Sequence, residues 1–163
     1  MKLKVIFFFS CYLPLAISPS FSQQSKIDSL LSLFKTDNKD TNQVNHLVNL
    51  CREYQFIGEY DSALHYGNVA LQFCNRHSEL VLESDRLTSQ MLKQVQHNSQ
   101  LLFYVRAKAK TLSNIGVIYY EQGNYSKALK YYFMALKIDE ELGNKNGIAR
   151  NLGNIGIVYR NQG

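Results

Sequence analysis

The stretch TLSNIGVIYYEQGNY, residues 111–125, is restated 40 positions later as NLGNIGIVYRNQG, residues 151–163. Seven positions match at that one offset: Leu112 with Leu152, Asn114 with Asn154, Ile115 with Ile155, Gly116 with Gly156, Tyr119 with Tyr159, Gln122 with Gln162 and Gly123 with Gly163. Leu112, Ile115, Gly116 and Tyr119 advance by three, one and three, which places them on a single stripe of an α-helix. Gly123 is suited to end that helix in the left-handed conformation, and Asn124 to cap the start of the next. The next helix carries Ala128, Tyr132, Ala135 and Ile138 on one face, and ELGN at 141–144 repeats the stop-and-start pair. The unit is therefore a helical hairpin. Gly116 and Ala128 are expected where its helices cross closely, because small side chains let ridges interlock at short separation. One hairpin cannot cover both of its own faces, so such units stack.

Working upstream, Leu47, Leu50, Cys51, Tyr54, Gly58, Tyr60, Ala63 and Ala70 form a diverged third copy, with Gly67 where the later copy has an aromatic. Gly58 and Gly123 stand 65 residues apart, which implies about 25 inserted residues within 71–108. That interval contains no Gly or Pro, and Leu80, Leu87, Met91 and Val95 keep helical spacing; it either lengthens the two neighbouring helices or folds as an extra one, with a break expected near QHNSQ at 96–100. Residues 27–35, IDSLLSLFK, read as a short amphipathic helix that caps the stack. The expected division is 1–22 as a signal peptide, 23–43 as an N-terminal segment and 44–75 as the first copy. A helical insertion then spans 76–108, the second copy 109–144, and the first helix of a third unit 145–163.

The pattern Leu112, Ile115, Gly116, Tyr119, Gly123, Ala128, Tyr132, Ala135 resembles the tetratricopeptide repeat, in its long 40-residue variety and of the type found in exported bacterial proteins. Leu112 and Glu140 stand where the family commonly has Trp and Pro. The resemblance implies an all-α, right-handed superhelical array of antiparallel helix hairpins that binds a protein or peptide segment in a concave groove. By the same registry the groove residues would be Asn49, Asn114 and Asn154, with Arg52, Lys110, Arg150 and Tyr120 beside them. A ladder of carboxamides can satisfy the backbone of an extended peptide without reading its sequence, since each amide both donates and accepts. The two-carboxylate clamp of chaperone-binding relatives is not reproduced: Val48 stands where that pattern has Lys, and Asn154 where it has Arg.

The remainder of the chain sets the setting. Lys2 and Lys4, the apolar run Val5–Ile17 and the small residues Ser20 and Ser22 follow the grammar of a secretory signal, with cleavage expected after Ser22. The 13-residue run is short of the roughly 20 needed to span a bilayer, and Pro14 interrupts it. Loss of the two lysines leaves 16 basic and 13 acidic residues. The surplus sits in 101–163, with nine basic against four acidic residues, which favours an acidic partner; export disfavours nucleic acid.

Cys51 and Cys74 lie on opposite helices of the first hairpin at different heights, so two free thiols are expected rather than a disulfide. His46, His65, His77 and His97 lack metal-ligand spacing, no nucleophile and base are paired, and no phosphate loop follows a strand. The expectation is a non-catalytic scaffold without metal, small-molecule or other cofactor, exported to the periplasm or beyond. An alternative is the exported input region of a larger signalling protein such as a sensor histidine kinase, touching the membrane only through a downstream span. Because Gly163 matches the turn glycine, the last helix is expected to leave Ile155, Val158 and Tyr159 facing solvent, so the sequence reads as a fragment of a longer protein or as one whose partner supplies the missing wall.

Overall fold

The computed structural model describes residues 19–38, 40–78 and 99–163. Among them all regular structure is helical: α1 (Pro19–Thr36), α2 (Asp40–Phe56), α3 (Tyr60–His77), α4 (Ser99–Glu121), α5 (Tyr125–Glu141) and α6 (Lys145–Gln162). Each helix packs against the next, and α2, α4 and α6 also touch side by side. The architecture is thus an α-solenoid of stacked hairpins, with α2, α4 and α6 as one layer and α3 and α5 as the other.

The corners follow from the backbone. Gly58, Gly123 and Gly143 have φ of 78°, 73° and 65°, a region costly for any residue with a Cβ. At each corner the glycine N–H donates to the carbonyl three residues back, and the following N–H donates to the carbonyl five back. Examples are Gly123 to Tyr120 at 2.9 Å and Asn124 to Tyr119 at 2.8 Å. That paired bonding satisfies the last free carbonyls of the helix. Asn124 and Asn144 then cap the helices that follow, accepting from the backbone N–H of Lys127 and Gly147 respectively.

The core runs along the stack as overlapping clusters, each shared by neighbouring helices. Val44, Leu47 and Val48 of α2 meet Ala70 and Cys74 of α3 and Tyr104 and Ala107 of α4. Leu101, Val105 and Leu112 of α4 meet Ala135 and Ile138 of α5. Side-chain sizes are exchanged between the two hairpins. In the second, Gly116 lies against the buried ring of Tyr132, and a Cβ added there would come within 2.6 Å of the ring. In the first, the equivalent places hold Cys51 and Gly67, and a Cβ at Gly67 would meet Cys51 Sγ at 3.2 Å and Ile115 of α4 at 3.1 Å. Bulk on one helix is matched by its absence on the other.

Three further expectations are refined. The capping helix is longer than 27–35, because Pro19–Ser22, assigned by sequence to the export signal, form the first turn of α1. Residues 99–108, the last part of the expected insertion, lengthen the repeat helix and form the front of α4, since their apolar positions Leu101, Tyr104 and Val105 continue its buried stripe. Ile155 and Val158 are buried against Ala128, Tyr132 and Leu136 of α5, whereas Tyr159 is exposed. Cys51 and Cys74 are both free and buried, as expected. The leader run and Cys11, the helical spacing of Leu80 to Val95, and His97 lie outside the described residues. No described helix is long and apolar enough to cross a membrane.

Candidate peptide-binding groove

The layer formed by α2, α4 and α6 carries the sequence-predicted residues. Asn49, Asn114 and Asn154 occupy equivalent turns of the three helices and are each half-buried. The Nδ2 of Asn114 is covered and has no hydrogen-bond partner, so an acceptor is owed to it. Arg52, Lys110 and Arg150, one from each helix, are exposed. Burial of its stem is the chief cause that lowers the pKa of Lys110, and the charges of Arg52 and Arg150 lower it further. The three cations therefore share one electrostatic neighbourhood across the layer.

They are not equally free. Arg52 reaches Glu53 at 3.2 Å, and Glu53 is 5% exposed and also accepts from the Gln23 side chain of α1. Arg150 stands 4.0 Å from the carboxylate of Asp139. No carboxylate among the described residues pairs with Lys110. Of these three cations, the lysine is thus the one that no described carboxylate pairs.

Tyr120 sits ten residues along α4 from Lys110, on the order of 15 Å away along the axis, and does not join the cations. Its hydroxyl accepts from Asn161 of α6 at 2.6 Å. At the matching place one unit earlier, Gln55 of α2 donates to Glu121 of α4 at 2.7 Å. Both links join corresponding positions of successive inner helices, so a lateral clip recurs with different chemistry. It links α2 to α4 and α4 to α6 near their C-terminal ends.

Two carboxylates and a cleft escaped the sequence reading. Asp139, 1% exposed at the end of α5, accepts from Asn144 Nδ2 at 2.7 Å and from Asn151 Nδ2 at 2.9 Å. Gly147 of α6 leaves room for it, because a Cβ there would overlap the carboxylate. Glu53 similarly ties α1 to α2. Between α2 and α4 lies a cavity of about 400 Å³, walled by Val48, Leu102, Phe103 and Ala107 and rimmed by Arg106 and Lys110. A second, of about 330 Å³, lies between α1 and α2 beside Asn49 and Arg52. No group of His, Cys, Asp or Glu among the described residues could hold a metal ion.

The family model of the tetratricopeptide repeat matches residues 109–142. That span of the chain is similar to a tetratricopeptide repeat. The matched span covers the second half of α4, the corner at Gly123 and all of α5, the hairpin whose repetition the sequence announced. No curated protein and no solved structure matches the chain.

Proposed function

We propose that the chain is a non-catalytic scaffold whose inner layer holds an extended, acidic segment of a partner protein. Tetratricopeptide repeats commonly mediate protein or peptide binding, and the helix layer here offers donors in excess of acceptors. The observation that carries the reading is the shared field of Arg52, Lys110 and Arg150, in which Lys110 is held partly desolvated and pairs with no carboxylate among the described residues. An acidic side chain docking there would relieve the mutual repulsion of three cations, a gain realised only in the complex. We also read the chain as exported, on the strength of the residue pattern in 1–22, which N-terminal sequencing of the protein recovered from its host would test.

The binding reading is tested by charge reversal at Arg52 and Arg150 together. With a fluorescein-labelled decapeptide of alternating Glu and Ser, the wild-type chain should bind with an affinity that falls as salt rises, and the double variant should bind at least tenfold more weakly. Equal binding by both proteins, or affinity independent of salt, would refute it.

A further inference from the structure

The cleft between α2 and α4 lies outside the residues that the repeat family accounts for, since most of its α4 wall comes from the helix extension that precedes Ala109. The extension exists because Leu101, Tyr104 and Val105 continue the buried stripe of α4 by about two turns, holding it against α2 and α3. The side of those turns that faces α2 across the cleft is apolar but incompletely filled: Leu102 and Phe103 remain half-buried, and Val48 and Ala107 form the floor. A volume of about 400 Å³ falls within the usual range of ligand pockets, roughly 300–1,000 Å³. Its rim carries two cations, Arg106 and Lys110, neither paired with a carboxylate among the described residues.

An apolar hollow edged by two cations that no carboxylate among the described residues pairs selects for an apolar group flanked by negative ones. Lys110 belongs both to this rim and to the cation neighbourhood of the groove, so a chain lying along the inner helices passes the mouth of the hollow. We propose that this cleft is an anchor pocket for a large apolar side chain of the bound segment, with acidic residues beside it engaging Arg106 and Lys110. The inference rests on the peptide-binding reading and adds to it the motif the partner must present: a bulky apolar residue with Asp or Glu within one or two positions. The apolar insertion supplies affinity, and the flanking charges fix its place along the groove.

The test selects binders from a random dodecapeptide phage library on the immobilised full chain, in parallel with the variants Asn45→Trp and Arg106→Glu. Asn45 lines the cleft from an exposed position, so a tryptophan there can fill the hollow without disturbing the core. Wild-type selections should enrich Asp and Glu around a large apolar residue. Replacing that residue by Ser in a synthetic copy should weaken binding roughly tenfold or more. Asn45→Trp should abolish the apolar preference and keep the acidic one, and Arg106→Glu should lose the acids next to the anchor. Acidic enrichment without an apolar preference, or an apolar preference untouched by Asn45→Trp, overturns the pocket and leaves the groove reading standing. Absence of acidic enrichment overturns both. If sedimentation shows self-association that Asn45→Trp abolishes while no peptide is enriched, the cleft receives a second copy of the chain and the proposal falls.

Discussion

Replacing Gly147 by alanine should destabilise the joint between α5 and α6, although alanine is the better helix former. Gly147 lies in the first turn of α6, where the change alone would return up to about 1 kcal/mol of helix propensity. The added Cβ would overlap the carboxylate of Asp139, and that carboxylate cannot step aside freely, because Asn144 and Asn151 donate to it at 2.7 and 2.9 Å. Each of those bonds to a charged, buried acceptor is worth about 1.5–3 kcal/mol. Losing both and regaining the propensity leaves a net loss of about 2–5 kcal/mol. A double-mutant cycle isolates the cause: in an Asp139→Ala background the obstacle is gone, and Gly147→Ala should be neutral or stabilising. Urea unfolding followed by far-UV circular dichroism, with amide exchange along α6 as the local probe, measures both. A Gly147→Ala protein as stable as the wild type, or an equal loss in the two backgrounds, would refute the reasoning.

Gly116→Ala should cost about 1–3 kcal/mol by forcing the buried Tyr132 ring off its place, with Gly116→Ala/Tyr132→Leu recovering part of it in the same unfolding assay. Gly123→Ala should cost about 1–2 kcal/mol through its positive φ, with no change in peptide binding. Burial pushes both thiols up to about 12, from an ordinary value near 8.5, so neither should react with a disulfide reagent at pH 8 until the chain is unfolded. Their protonated forms are favoured by the folded state. The stability linked to them is therefore complete below about pH 8.5 and is lost as pH rises toward 12, by roughly 1–2 kcal/mol per thiol at pH 10, which urea titrations at pH 7.5 and 10 would show. Alanine at Asn114 and Asn154 together should weaken peptide capture while leaving helicity unchanged; undiminished capture removes the amide ladder.

What was legible in the sequence is what a single helix or corner determines by itself. The turn glycines, the asparagine caps and the apolar stripes of α4 and α5 depend on residues a few positions apart, and each took its expected place. The unpaired cysteines were legible too, because the helical rise alone separates them. The cations Arg52, Lys110 and Arg150 could be placed on one layer by registry, but their partial compensation by Glu53 and Asp139 could not. A carboxylate such as Asp139, sitting in DEELGN, reads as a solvated helix end; only the approach of Asn151 and the bare Cα of Gly147 from the next helix bury it. The cleft was hidden for the same reason. Its walls come from two helices separated in sequence, and the residues of its α4 wall were assigned to an insertion because the repeat pattern starts after them.

The size exchange between the hairpins has a consequence for anyone who would rebuild this chain from idealised units. Restoring a glycine at Cys51 and an aromatic at Gly67 would make the first hairpin match the second, yet the new ring would collide with Ile115 on the following helix. The first unit is thus fitted to its neighbour as much as to itself. Modules of this protein cannot be shuffled or replaced singly; the smallest interchangeable part is a hairpin together with the helix it leans on.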